Sequence, residues 1–154
     1  MIKEIDGNIL DCDSQYIAHQ CNCKSVGQAA GLAESIFNKY PETNIYKENI
    51  DRKTGEIIVI GKVINMLSQC YPGKPSSWGD IDNRDARLRY FRECLDRISK
   101  IDGIKSLAFP YKIGCGLAGG DWVEYKKEIE NFSEENKSIE VSIVKLWIIK
   151  FFWL

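Results

Sequence analysis

A single histidine, His19, ends an apolar stretch just before a loop, and an imidazole in that place can take or give a proton near neutral pH. A carboxylate, Asp121, stands near the end of a second loop, "YKIGCGLAGGDW", which spends four glycines on twelve residues. Glycine opens positive φ and removes the Cβ that keeps another molecule off the backbone, so this loop is suited to main-chain contact with a ligand. The earlier segment "CNCKSVGQAAGLAESIF" repeats the arrangement, with Gly27 and Gly31 ahead of a helical pattern. Successive N–H groups in such turns, helped by the positive end of a helix dipole, cradle anions, and two facing loops can hold two phosphates. His19 and Asp121 are then the candidate proton carriers. Each has a plainer alternative: a buried histidine satisfied by backbone, and the N-cap of a helix that carries Glu124 in the capping-box place. Neither loop reads G-x-x-x-x-G-K-[ST] or a strict G-x-G-x-x-G with a distant acid, which disfavours P-loop NTPases and Rossmann dehydrogenases.

Strands and helices must bring these loops together. "MIKEI" and "SQYIAHQC" read as short strands around a turn near Gly7, and "AAGLAESIFNKYP" switches to helical spacing with Leu32, Ile36 and Tyr40 on one face until Pro41 stops it. "GEIIVIGKVINML" reads as two strands joined by Gly61 and Lys62, a pair suited to a type II′ hairpin turn, and "SQCYPGKPSSWGDIDN" as a turn-rich loop. "RDARLRYFRECLDRISK" is a helix on the spacing of Leu88, Phe91, Leu95 and Ile98, with Asp82 and Asn83 as capping candidates. "IKSLAFP" is a buried strand leading into the second glycine loop, Asp121 opens a helix to about Asn131, and "IEVSIVKLWIIKFFWL" closes as a strand with an apolar tail. Strands interleaved with helices imply one three-layer α/β domain over residues 1–154, with a central mixed sheet. Ligands of such sheets gather at the carboxyl ends of the strands, where both loops fall.

Composition sets the remaining bounds. A chain of 154 residues, 44% hydrophobic and 28% charged, is an ordinary globular domain able to bury roughly 68–70% of its unfolded surface without staples. With 21 basic against 22 acidic residues it lacks the electrostatic footprint of a duplex nucleic-acid binder. Six cysteines without a signal-peptide pattern point to reduced thiols and a cytoplasmic location. The C-x-C spacing of Cys21 and Cys23 and the lone histidine argue against a metal site. Glu140, Lys145 and Lys150 interrupt the apolar tail, so no membrane span is expected.

"GNIL", "AHQCNCKSVGQAAGLAESIFNKYP", "NMLSQ" and "FPYKIGCGLAGGDW" occur in an order that resembles the landmarks of a macrodomain, from about Ile5 to Trp147. Within that family the chain is most similar to the branch of ADP-ribose-1″-phosphate phosphatases and ADP-ribosyl-glutamate hydrolases, with "H-x-C-N-C" on the phosphatase side. The resemblance implies a three-layer α/β/α fold whose two loops clasp the pyrophosphate and distal ribose of ADP-ribose, with no cofactor. It places Asn8 by the adenine amino group, Ile9 among the ligand-binding residues, Asn22 on the distal ribose, Gly27, Gly31 and Leu32 in the first loop, Ile113, Gly114, Cys115, Gly116, Leu117 and Ala118 in the second, and Trp147 stacked on adenine. It favours a catalytic His19, with Asp121 beside the second loop, in metal-independent hydrolysis of an ADP-ribose derivative such as the 1″-phosphate. The alternative is a module that binds ADP-ribose or a conjugate without chemistry. Glutamate-type hydrolases carry an aspartate where this chain has Ala118 and use a lysine, whereas "INMLSQCY" offers none before Lys74, so covalent lysine chemistry is not expected.

Overall fold

Three switches from alternating to helical spacing become six strands and three α-helices in the computed structural model, which describes residues 1–146. In chain order these are β1 (Ile2–Asp6), β2 (Tyr16–Asn22), α1 (Gly31–Lys39), β3 (Ile57–Ile60), β4 (Val63–Gln69), α2 (Arg84–Ser99), β5 (Ser106–Pro110), α3 (Trp122–Glu135) and β6 (Glu140–Lys145). Short 3-10 turns at Ile9–Asp11 and Pro41–Thr43 complete them. The strands form one sheet in the order β1-β6-β5-β2-β4-β3, parallel except for β3, which is antiparallel to β4. The expected mixed sheet is therefore present. Gly61 takes a φ of 56° at the β3–β4 turn, the positive first position a type II′ hairpin requires.

Period-two alternation divides the strand residues between two cores. Ala18, Ile64, Met66, Leu107, Phe109, Val141 and Ile143 face α2 and α3, whose Phe91, Leu95, Ile98, Tyr125, Ile129 and Phe132 cover that side. Ile17, Cys21, Val63, Leu67, Ala108 and Val144 face the opposite way, beneath Ile36 and Phe37 of α1. This is the three-layer arrangement. Asn83 caps α2 by accepting from the Ala86 N–H, while its neighbour Asp82 turns inward; α3 runs four residues past the expected Asn131, to Glu135. The first two strands are not hairpin neighbours either: β1 joins the far edge beside β6, a pairing that no local signal in the chain announces.

Chain direction opens a crevice at one edge of the sheet. From β2 the chain passes through α1 on one face and on to β4, whereas from β5 it passes through α3 on the other face to β6. Adjacent parallel strands whose crossovers leave in opposite directions open a crevice at their carboxyl ends, and both glycine loops begin there, after Asn22 and after Pro110. Among the described residues, no helix is long and apolar enough to cross a membrane, and no three His, Cys, Asp or Glu side chains group to hold a metal ion.

Candidate ligand-binding cleft

Two adjoining cavities fill the crevice. One, of about 320 Å³, is walled by Leu32, Lys112, Ile113, Gly114, Gly116, Leu117 and Ala118; the other, of about 650 Å³, by Asn22, Ser25, Gly27, Ala29, Phe37 and Tyr46. Gln20, Ala30, Ala33, Gln69, Gly73 and Leu117 border both, so the pair forms one continuous cleft of the size that holds a nucleotide-like ligand. Two further depressions, of about 340 and 470 Å³, run along β1 and α3 and are edged by charged side chains such as Glu4 and Lys126; Trp122, at the start of α3, borders the larger, whose helix end is already capped by Asp121.

The cleft is rich in uncommitted backbone donors. The N–H groups of Gly116, Leu117 and Ala118 meet no acceptor among the described residues, although their neighbours are tied: Cys115 donates to Lys112, Gly119 to Gly116 and Gly120 to Gly114. Across the cleft, α1 begins at Ala30, which has no side chain to cap the first turn, whereas α2 and α3 are capped by Asn83 and Asp121. Of the three helices, the one whose N-terminus opens on the cleft keeps its first N–H groups free.

The four glycines of the second loop divide in purpose. A Cβ on Gly114 would lie 2.6 Å from Tyr125 and 2.8 Å from Gln20 Oε1, one on Gly120 would lie 2.5 Å from Tyr125, and one on Gly119 would strike Pro75. These three are glycine so that the loop can pack onto α3 and its neighbours. Gly116 alone faces open space, with nothing within 4 Å of a Cβ placed there. Lys112, at the loop's entry, holds a positive φ of 59°, an expensive conformation for a residue with a side chain and one that persists where the surrounding structure imposes it.

Two buried arginines, neither indicated by the sequence reading, hold the loops from behind. Arg52 donates through Nη1 to the Asn22 carbonyl at 3.3 Å and through Nη2 to that of Ser25, with its guanidinium 5.0 Å from the centre of the Tyr46 ring. Tyr46 in turn accepts from the Asn22 N–H. Arg87, 1% exposed, forks onto Asp82 through Nε and Nη2 at 3.1 and 2.8 Å. Its remaining donors reach the carbonyls of Tyr71, Gly73, Lys74 and Ala118. Burial alone would raise the Asp82 carboxyl, but Arg87 and the N–H groups of Cys70 and Tyr71 outweigh it and hold the group below its usual range. Arg87 thus joins α2 to two walls of the cleft. A signal was present: Arg87 lies four residues before Phe91 and next to Leu88, on the face that must be buried.

The two expected proton carriers are placed apart. His19 borders the smaller cavity but is only 2% exposed, packed edge-on against Phe37 at 5.4 Å. Asn65 donates to the carbonyls of Thr43 and Ile58, which leaves its Oδ1 to accept from His19 Nε2 at 2.6 Å and places a hydrogen on that ring nitrogen. Burial, partly offset by Asn65, lowers the His19 pKa to about 4, so the ring is neutral near pH 7. Asp121 caps α3, accepting from Val123 N–H, and lines a different depression with Ser76, Asn83 and Arg84. The two share no cavity.

The other candidates are distributed as follows. Gly27, Gly31 and Leu32 lie on or beside the first loop, and Ile113, Gly114, Gly116, Leu117 and Ala118 on the second, with Cys115 half-buried between them. Asn22 lines the larger cavity, yet its Oδ1 already accepts from the N–H groups of Lys24 and Ser25, so the amide shapes its own turn. Asn8 caps the 3-10 turn by accepting from Leu10, and Ile9 is a core residue; neither lines the cleft cavities. Trp147 lies outside the described residues.

The buried His19 carries a stability signature. Its folded pKa lies below the unfolded value of about 6.5, so the unfolded chain binds the extra proton between those values, and stability is full above about pH 6.5 and lost as pH falls toward 4. Thermal unfolding should lose up to about 3 kcal/mol across that window from this group. His19→Gln should flatten the pH dependence there, and an unchanged slope would contradict the buried neutral imidazole.

No protein-family model and no curated protein matches the sequence. Solved structures do match. The macrodomain of Mycobacterium tuberculosis DarG superposes with a TM-score of 0.75 at 21% identity, covering 94% of this chain and 97% of that one. A Bacteroides thetaiotaomicron protein of unknown function gives 0.70 at 27% identity, covering 95% and 98%. A glycine-to-valine variant of the Oceanobacillus iheyensis macrodomain, solved with ADPR, gives 0.62 at 16% identity, covering 94% and 84%.

Proposed function

The chain has the macrodomain fold, and on that premise we propose that it binds ADP-ribose, free or attached to another molecule, in the cleft between its two loops. The observation that carries this reading is the set of free backbone donors facing one another across the cleft: Gly116, Leu117 and Ala118 on one side and the uncapped start of α1 at Gly31 and Leu32 on the other. A pyrophosphate is acceptor-only and matches such donors without a formal cation. The Oceanobacillus iheyensis structure solved with ADPR, on the same fold, supports the choice of ligand.

Hydrolysis of an ADP-ribose derivative such as the 1″-phosphate draws its support from the sequence resemblance. The positions of His19 and Asp121 do not add to it, so binding without chemistry is the reading that the geometry favours. Calorimetry with ADP-ribose tests the binding. Only Lys112 and Glu34 are charged among the residues lining the two cavities, so affinity should weaken less than about tenfold between 50 and 200 mM salt. No binding, or a far steeper salt dependence, would contradict it. Phosphate release on incubation with ADP-ribose-1″-phosphate would establish the enzyme in place of the reader.

A further inference from the structure

Gln20 lies where the two cavities meet, and its Nε2 donates to Gln69 Oε1 at 2.6 Å. The orientation of both amides is set from outside the pair. The Tyr71 carbonyl can only accept, so Gln69 presents Nε2 to it at 2.8 Å and keeps Oε1 toward Gln20. Gln20 must answer with its nitrogen. Its oxygen, Gln20 Oε1, is left as a buried acceptor that no donor among the described residues reaches. Because Arg87 Nη2 also donates to the Tyr71 carbonyl, this relay is anchored in the buried ion pair behind the cleft.

A buried acceptor without a donor is disfavoured, and one at the junction of a cleft points to a donor supplied by the ligand. We propose that Gln20 Oε1 accepts a hydrogen bond from a ribose hydroxyl of the bound nucleotide, an inference that rests on the ADP-ribose reading above. The alternatives differ in chemistry. A phosphate at neutral pH would set oxygen against oxygen, whereas a sugar hydroxyl donates and is covalently next to the phosphates held by the neighbouring N–H groups of the second loop. The oxygen is covered by the bare Cα of Gly114, where a Cβ would come within 2.8 Å of it. For a ligand to reach it the loop must shift at Gly114, where there is no side chain to move aside. Gln20 then selects a sugar over a phosphate at this point of the cleft.

The test is calorimetry of wild type and Gln20→Met, which keeps the volume and removes the amide, with ADP-ribose, ADP and 2′,3′-dideoxy-ADP. The thermal midpoint of the variant should fall only by a few degrees, because Gln69 Oε1 loses its donor while the unpaired Gln20 Oε1 goes with the amide, and affinity should drop about tenfold for each ligand that carries the hydroxyl and not for one that lacks it. A loss confined to ADP-ribose puts the hydroxyl on the terminal ribose; a loss shared by ADP but absent for the dideoxy compound puts it on the adenosine. Equal losses for all three ligands, or none, overturn the proposal. Gln20→Asn, which withdraws the amide by one methylene, should show the same pattern and stands in if the methionine variant does not fold. Failure of wild type to bind any of the three would instead sink the ADP-ribose reading itself.

Discussion

Gly116→Glu is expected to leave the domain folded and to abolish ADP-ribose binding. The new Cβ enters open space, the backbone there has no positive φ to strain, and Gly116 lies on the cleft wall. The carboxylate then stands at the proposed phosphate position. At about 4 Å and a near-surface effective dielectric of about 20, each like-charge pair costs roughly 4 kcal/mol, so a loss of more than a hundredfold in affinity follows. Gly116→Ala, which adds only a methyl, should change affinity by less than about threefold. A folded glutamate variant with wild-type affinity would show that the second loop does not hold the anion.

Arg87→Met should be the most destabilising single change of the residues discussed. It leaves Asp82 charged and buried and withdraws the donors from the carbonyls of Tyr71, Gly73, Lys74 and Ala118 at once. Breaking a buried ion pair by removing one partner costs about 3–5 kcal/mol, which for a domain of this length lowers the thermal midpoint by roughly 6–20 °C. Adding Asp82→Leu should recover part of that loss, because the orphaned carboxylate goes with it. A shift of under about 2 °C in the single variant would mean that Arg87 does not hold the loops. Arg87→Lys should remain well below wild type, since a point charge cannot reproduce the fork on Asp82 together with four carbonyl contacts.

Arg87 also marks where sequence reasoning stopped. The α2 pattern of Leu88, Phe91, Leu95 and Ile98 was legible because burial repeats at helical spacing, and the cap was legible as a choice between Asp82 and Asn83. That Asp82 instead turns inward to meet Arg87 depends on how the 71–74 loop packs, which no local pattern encodes. The two glycine loops and the strand ends that carry them could be found from composition and order alone. Which glycine faces open space could not, since Gly114, Gly119 and Gly120 are explained by the bulk of Tyr125 and Pro75, which lie outside the loop.

His19 shows the same limit from the other side. Its residue type and its expected place at a strand end suit proton transfer, but β2 runs on to Asn22, and alternation along it assigns His19 to the face with Ile17 and Cys21, beneath Phe37. Gln20, on the opposite face and unremarkable by residue type, is the side chain that the strand presents at the junction of the two cavities. Asn22 could be placed at the cleft from its position in the chain, whereas the commitment of its oxygen to Lys24 and Ser25 emerged only from the turn geometry.

The most direct test of the two-loop cleft is an amide-resolved NMR titration with ADP-ribose. The largest shifts should fall on the N–H groups of Gly116, Leu117 and Ala118 and of Gly31, Leu32 and Ala33, while those along β1 and α3 near Glu4 and Lys126 stay in place. Shifts centred on the β1 and α3 face, with both glycine loops unmoved at saturating ligand, would contradict it.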